Sequence, residues 1–216
     1  ILAEVHRGAP GLGNMMTARG AGAKGLTGVD IWCPEVYSFN PDGAAQEQAK
    51  GREVWWYVAY STRHPFPNYW VDYPALDCRV LWWMSWKHNL DGILYWSINY
   101  RSERAWETAG LYPGANGDGH LVYPGSDGGV VDSIRWEAIR DGAEDYEYLW
   151  LLREGVRLAE ERGVAADLLP RARALLAIDD TVVRSFKDYN PDPSRLLAKR
   201  DEMGAVLEAR RIGVVV

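Results

Sequence analysis

Four short segments dense in β-branched and aromatic residues set the limits on this fold. They lie at 13–18 (GNMMTA), 29–37 (VDIWCPEVY), 53–60 (EVWWYVAY) and 92–99 (GILYWSIN). None alternates cleanly between apolar and polar, which predicts strands covered on both faces. Helical patterns fill the intervals. Residues 44–50 (AAQEQAK) are good helix formers ending at Gly51, and 74–89 carry Asp72 just ahead of them. Residues 133–162 form a long helix, with Asp132 as its N-cap and Gly163 as its stop. The repetition predicts parallel βαβ units, although some ten residues between the first two strands are few for a crossover helix.

After Gly163 the composition turns to Ala, Leu and Arg. Helices are expected at 164–178 and 194–212, the second capped by Ser194, around a loop holding Asp188, Asn190, Pro191, Asp192 and Pro193. The predicted architecture is α/β: the C-terminal half of a (β/α)8 TIM-type barrel, with about four parallel strands, over 1–163, then a helical appendage over 164–216. A whole barrel takes about 250 residues. Half a barrel leaves two strand edges open. Further strands of the same protein, a missing N-terminal half, are therefore expected before Ile1.

Composition removes several classes of function. The net charge of −6 and the lack of a basic stripe argue against nucleic acid as a partner. No apolar run approaches the roughly 18 residues of a membrane span, and the first residues do not read as a signal peptide. Cys33 and Cys78 lack metal-site spacing and read as free buried thiols, which leaves the compartment open, secretion or a periplasm included. The four His are scattered, with no HExxH set, so neither a metal site nor another cofactor is expected. No GxSxG elbow occurs. The GDG turn at 117–119 is a weak signal for phosphate or metal, and tight loop geometry explains it better.

Tryptophan is the compositional anomaly: eight of 11 fall between Trp55 and Trp106. Such rings fill cores, and they also stack on the apolar faces of sugars. Most are expected in the core and one or two on a ligand. In a barrel of this type, function sits at the C-terminal ends of strands. That rule selects Trp32, Glu35 and Tyr37 after the second strand, and Tyr57, Tyr60, Arg63 and His64 after the third. After the fourth it selects Tyr95, Trp96, Asn99, Tyr100 and Arg101, then Asp118, His120 and Tyr123 on the following loop. Aromatic faces beside fixed polar groups suit a carbohydrate. The substrate-binding candidates are Trp32, Glu35, Tyr57, Tyr95, Trp96 and Asn99. Glu35 either accepts two sugar hydroxyls or pairs with an Arg of a barrel helix. Asn99 either meets substrate or caps a loop. The charged run from Arg135 to Glu147 reads as structural, with Arg140 bridging Glu144 one turn on. Asp141 and Asp145 would repel unless Arg135 or a backbone amide compensates.

Five stretches together resemble one family: DIWCP at 30–34, EVWWYVAY at 53–60, RVLWWMSWKHNLDGILYWSIN at 79–99, GDGHLVYPG at 117–125 and SIRWEAIRDGAEDYEYL at 133–149. They look like the catalytic domain of glycoside hydrolase family 123, within the domain of unknown function 4091 family, over about residues 1–160. The resemblance implies a (β/α)8 enzyme that removes β-linked N-acetylgalactosamine by a retaining, substrate-assisted mechanism. The sugar's acetamido carbonyl would attack the anomeric carbon, an Asp would orient that group and the adjacent Glu would act as acid/base. The usual scheme instead uses two separate carboxylates. In the family that pair ends the fourth barrel strand. Here the only Asp-Glu neighbours are Asp201 and Glu202, in the appendage, and the role does not transfer to them. No catalytic residue is therefore assigned within this chain. The alternatives are a non-catalytic carbohydrate-binding barrel, a different barrel chemistry using Glu35 with Asp118, and a helical scaffold for another protein.

Overall fold

In the computed structural model, which describes residues 2–100, 102–110 and 112–209, the four expected strands pair in chain order. β1 (Met15–Met16) pairs with β2 (Ile31–Trp32), β2 with β3 (Glu53–Val58), and β3 with β4 (Gly92–Tyr95), all parallel. The fold is α/β with sequential strands, the order found in part of a TIM-type fold. β2 is shorter than expected because Pro34 has no N–H for the ladder, and pairing resumes as a single bridge between Glu35 and Tyr57.

The helices begin where side chains meet exposed backbone amides. After α1 (Leu2–Gly8), α2 (Pro41–Gln48) starts earlier than expected, because the Asn40 side chain accepts from the Asp42 amide and Pro41 suits the first turn. α3 (Ala75–Lys87) is not capped by Asp72, which instead accepts from Asn116. α4 (Ile134–Arg162) is capped by Ser133, not Asp132, through the Trp136 amide. It ends as expected at Gly163 in a left-handed turn. α5 (Leu169–Leu176) precedes α6 (Pro193–Glu208), whose cap is Asp192 rather than Ser194. Two hairpins were not anticipated: β5 (Val122–Pro124) with β6 (Val130–Asp132), and β7 (Val183–Ser185) with β8 (Asp188–Tyr189). Arg101 and the stretch 210–212 lie outside the described residues.

The sheet has one covered face. Val54, Trp56 and Val58 are buried, and the Trp56 indole donates to Ser85 of α3 at 2.9 Å. The alternate residues Trp55 and Tyr57 are half-buried, so the expectation of strands covered on both faces holds for one face only among the described residues. The helices supply that cover, and α3 and α4 supply the closest crossing. A Cβ on Gly142 would lie 2.2 Å from Trp82, so only glycine lets the two helices meet there. One apolar core runs from Trp56 and Leu81 through Leu149 and Leu152 to Leu196 and Met203. Cys78 is part of it, Cys33 is likewise free and buried, and burial pushes both thiols up to about 12. No helix among the described residues is long and apolar enough to cross a membrane.

Asp145 ties the layers together. It is fully buried on α4, and Arg79 of α3 grips it through Nε at 2.6 Å and Nη2 at 2.8 Å. The Trp83 indole donates at 2.8 Å, and Arg200 of α6 stands 2.8 Å away as an ion pair not aligned for a hydrogen bond. The expected repulsion between Asp141 and Asp145 is therefore relieved by Arg79 and Arg200, not by Arg135, which binds elsewhere. Arg140 does approach Glu144, at 3.6 Å, on the exposed face.

Candidate functional site

The GDG turn places a buried acid at the ends of β3 and β4. Gly117 and Gly119 both have positive φ, where L side chains are strained. Space forbids a side chain as well: a Cβ on Gly117 would lie 2.7 Å from the Arg135 guanidinium, and one on Gly119 would lie 2.5 Å from the Trp96 ring. Asp118 between them is 1% exposed. Its Oδ1 accepts from the Tyr95 hydroxyl at 2.9 Å, the Trp96 indole at 3.1 Å and the Trp70 indole at 3.3 Å. Its Oδ2 is buried with no hydrogen-bond partner. A buried carboxylate held by three neutral donors, with one oxygen unmatched, is a costly arrangement unless something completes it.

Arg135 fixes the turn without neutralising Asp118. This buried guanidinium donates to the carbonyls of Tyr69 at 2.7 Å and Gly117 at 2.9 Å, and to that of His120. It thereby holds the backbone on both sides of Asp118. His120 is buried too, and its pKa is lowered by burial first and then by the Arg135 charge, which keeps the imidazole neutral at pH 7.

A cleft of about 200 Å³ opens beside Asp118, lined also by Ala59, Tyr60, Trp96 and Tyr112. Its rings are arranged rather than loose. Tyr60 and Tyr112 stand 4.6 Å apart, and the Arg63 guanidinium lies over Tyr60 at 4.8 Å and over Trp70 at 5.2 Å. Arg63 also donates to the carbonyls of Pro113 and Gly114, tying the Tyr112 loop to β3. Trp96 is 39% exposed and so presents part of its ring to solvent. A larger cavity of about 470 Å³ lies between α3, α4 and α6, away from the strand ends, and it is lined mainly by apolar groups.

The six candidates separate into distinct settings. Tyr95 and Trp96 meet on Asp118. The Tyr95 hydroxyl also accepts from the Gly119 amide, and burial is the first cause of its raised pKa. Glu35 and Tyr57 meet one strand over. Glu35 is buried, and its oxygens take the Ser61 hydroxyl at 2.7 Å and the Thr62 hydroxyl at 2.6 Å. Among the described residues its partners are hydroxyls and not an Arg of a barrel helix. Burial, then the Glu35 charge, push the Tyr57 phenol up to about 12. Trp32 stands apart on the helix-covered face, 1% exposed, with its indole on Glu47 of α2 at 2.9 Å. Asn99 is exposed and pairs through its backbone with His120. Sequence reasoning reaches Trp70 only as one of the clustered tryptophans and passes over Tyr112, Ser61 and Thr62, of which only Ser61 and Thr62 carry a signal, their adjacency to the third strand end. Among the described residues, no group of three or more His, Cys, Asp or Glu could hold a metal ion.

No curated protein matches the chain. Among solved structures, a family 123 glycoside hydrolase from Clostridium perfringens, described for the hydrolysis of glycolipid glycans, is similar in fold. Its TM-score is 0.63 at 15% identity, over 92% of this chain and 36% of that one. This chain therefore spans about a third of its structural neighbour. The sequence profile of the glycoside hydrolase 123 catalytic domain matches residues 16–152, more than half of the 216, and takes in every strand of the parallel sheet but the first residue of β1. The chain belongs to the glycoside hydrolase 123 catalytic-domain family.

Proposed function

We propose that the intact protein is a retaining glycoside hydrolase of β-linked sugars, N-acetylhexosamines such as N-acetylgalactosamine foremost, and that this chain is the second half of its barrel. The missing N-terminal half of the barrel would cover the half-buried face of Trp55 and Tyr57 and supply the Asp-Glu pair of a substrate-assisted mechanism. Asp201 and Glu202 do not serve. Both are exposed on α6, and Glu202 lies 3.5 Å from Arg171.

One observation carries the reading: the unmatched Oδ2 of Asp118 beside a cleft walled by Trp96, Tyr60 and Tyr112. A sugar offers what that arrangement lacks, a hydroxyl or acetamido N–H to donate and an apolar ring face to stack. Tyr95, Trp70 and Arg135 hold the acid in place beside the aromatic rings. Tyr57, Glu35 and Asn99 would extend the polar wall, and Trp32 would support it from behind.

The test is hydrolysis of 4-nitrophenyl β-N-acetylgalactosaminide by the intact protein, its Trp96→Ala variant and its Asp118→Asn variant. Activity should fall at least tenfold in both, and unchanged rates in folded variants would sink the assignment. The absence of an Asp-Glu pair at these strand ends favours one second reading, a carbohydrate-binding barrel without catalysis. Sugar binding that depends on Trp96, with no hydrolysis, would support it. Glu35 and Asp118 as a catalytic pair is the weaker idea, since each sits in its own hydrogen-bond set with no shared partner.

A further inference from the structure

Arg63 touches three of the pieces that build the strand-end cleft and is not itself part of the lining. Its guanidinium lies over Tyr60 at 4.8 Å and over Trp70 at 5.2 Å, and Trp70 is one of the indoles that donate to Asp118. Nη1 donates to the Gly114 carbonyl at 3.3 Å and Nη2 to that of Pro113 at 3.4 Å, beside Tyr112 in the chain. Its partners are thus two rings and two carbonyls rather than an acid. Such a set uses the planar fork of arginine, which a lysine does not copy. The backbone behind it is fixed. Thr62 is buried with its hydroxyl on Glu35, and the Arg63 carbonyl accepts from the Phe66 amide at 3.1 Å.

The loop that Arg63 grips carries Tyr112 and is tied twice. At its base Asp72 accepts from the Asn116 amide at 3.0 Å and from its side chain at 2.8 Å. At its tip the tie is Arg63, and the turn between closes with the Ala115 amide on the Tyr112 carbonyl at 3.2 Å. Gly114 permits the grip: its φ is +70°, and a Cβ there would meet Arg63 Nη1 at 3.3 Å. Tyr112 is 44% exposed, so burial does not fix its ring. The ring rests on Tyr60 at 4.6 Å, and Arg63 contacts Tyr60 as well. We propose that Arg63 is a positioning residue for this cleft: it sets the Tyr112 wall against Trp96 and Asp118, and thereby the affinity for a sugar ring, without touching the ligand. The proposal rests on the carbohydrate reading of the cleft. A stacking wall serves the ground state and the transition state alike, so displacing it acts on KM and leaves kcat nearly alone.

The test is a double-mutant cycle in the intact protein, with Arg63→Lys, Tyr112→Ala and the two combined. Hydrolysis of 4-nitrophenyl β-N-acetylgalactosaminide gives KM and kcat, and calorimetric titration gives the affinity for N-acetylgalactosamine. Arg63→Lys keeps the charge and loses the fork. It should raise KM and weaken affinity about three- to tenfold, the size of one lost ring contact, with kcat within about twofold. In the Tyr112→Ala background the same substitution should have no further effect, because Arg63 acts through that ring. Gly114→Ala, which crowds the grip from the loop side, should reproduce Arg63→Lys. The proposal is overturned if Arg63→Lys keeps the wild-type KM and affinity, or if its effect is as large without the Tyr112 ring as with it. It also fails if kcat falls while KM holds. A wild type that binds the sugar without hydrolysing it, with affinities that follow the cycle, removes the catalytic reading and upholds the positioning role. A wild type that hydrolyses while Arg63→Lys changes nothing does the reverse, and one that neither hydrolyses nor binds overturns both.

Discussion

Asp118 and Asp145 are both buried carboxylates, and the fold treats them in opposite ways. Asp145 meets two arginines and an indole, which match its charge and occupy both oxygens. Asp118 meets two indoles and a phenol, all on one oxygen, and none is a cation. The nearby guanidinium, Arg135, is spent on backbone carbonyls instead. A compensated carboxylate at a helix crossing is a structural tie. A carboxylate positioned by neutral donors, with one oxygen unmatched beside aromatic rings, is where the proposed function places the ligand. Asp77, buried in the first turn of α3, lies between these cases, with one neutral donor and no cation bonded to it.

The comparison breaks most visibly at Asp145. Asp145→Asn should cost about 3–5 kcal/mol, because it takes the buried charge from between Arg79 and Arg200, both part-buried, and leaves them only the more distant Asp141 and Glu144 at 3.5 and 3.8 Å. Denaturant melting of the intact protein measures it, and a loss below about 1 kcal/mol would dissolve the distinction drawn here.

Asp77 gives the next largest effect, read against pH. Its folded pKa of about 6 is raised above the ordinary 3.8, so its contribution to stability is fully present below about 3.8 and lost as pH rises through 6. At 1.36 kcal/mol per pH unit, wild type should lose up to roughly 3 kcal/mol relative to Asp77→Asn across that window. Parallel stability curves for the two proteins would contradict the burial argument.

Asp118→Asn sharpens the contrast from the other side. An amide oxygen still accepts from Tyr95 and Trp96, so stability should change by less than about 1 kcal/mol. Sugar affinity should fall about ten- to a hundredfold, as for a lost bond to a charged group. Calorimetric titration beside a thermal melt separates the two. At the small end stands Arg140, whose contacts with Glu137, Asp141 and Glu144 are all exposed. Arg140→Ala should shift the melting midpoint hardly at all, within about 0.5 kcal/mol.

Much of the fold was legible beforehand. The four strands, the long helix and its stop at Gly163 follow from local composition and chirality. Helix starts were read less well, because Asp132, Asp72 and Ser194 each had a neighbour whose side chain reached the free amides, or found another use. The site was legible in part. Glycines at 117 and 119 marked a tight turn, and Tyr95 and Trp96 were found from the strand-end rule. Trp32 satisfied the same rule yet packs on α2, because its register partner is Val54 on the helix-covered face. Tyr112 carried no local mark, and Trp70 none beyond the tryptophan cluster, since loops tied down by Arg63 and Asp72 bring them in.

Local sequence determined the parallel strand order, the helix termini set by glycine, and the motifs that place the chain in its family. Only the tertiary structure decided which buried acid is matched and which is open. Arg79 lies 66 positions from Asp145, and Trp70 lies 48 from Asp118. Charge compensation acts through space over a few ångströms, and no local pattern records which side chains the fold will bring within that reach.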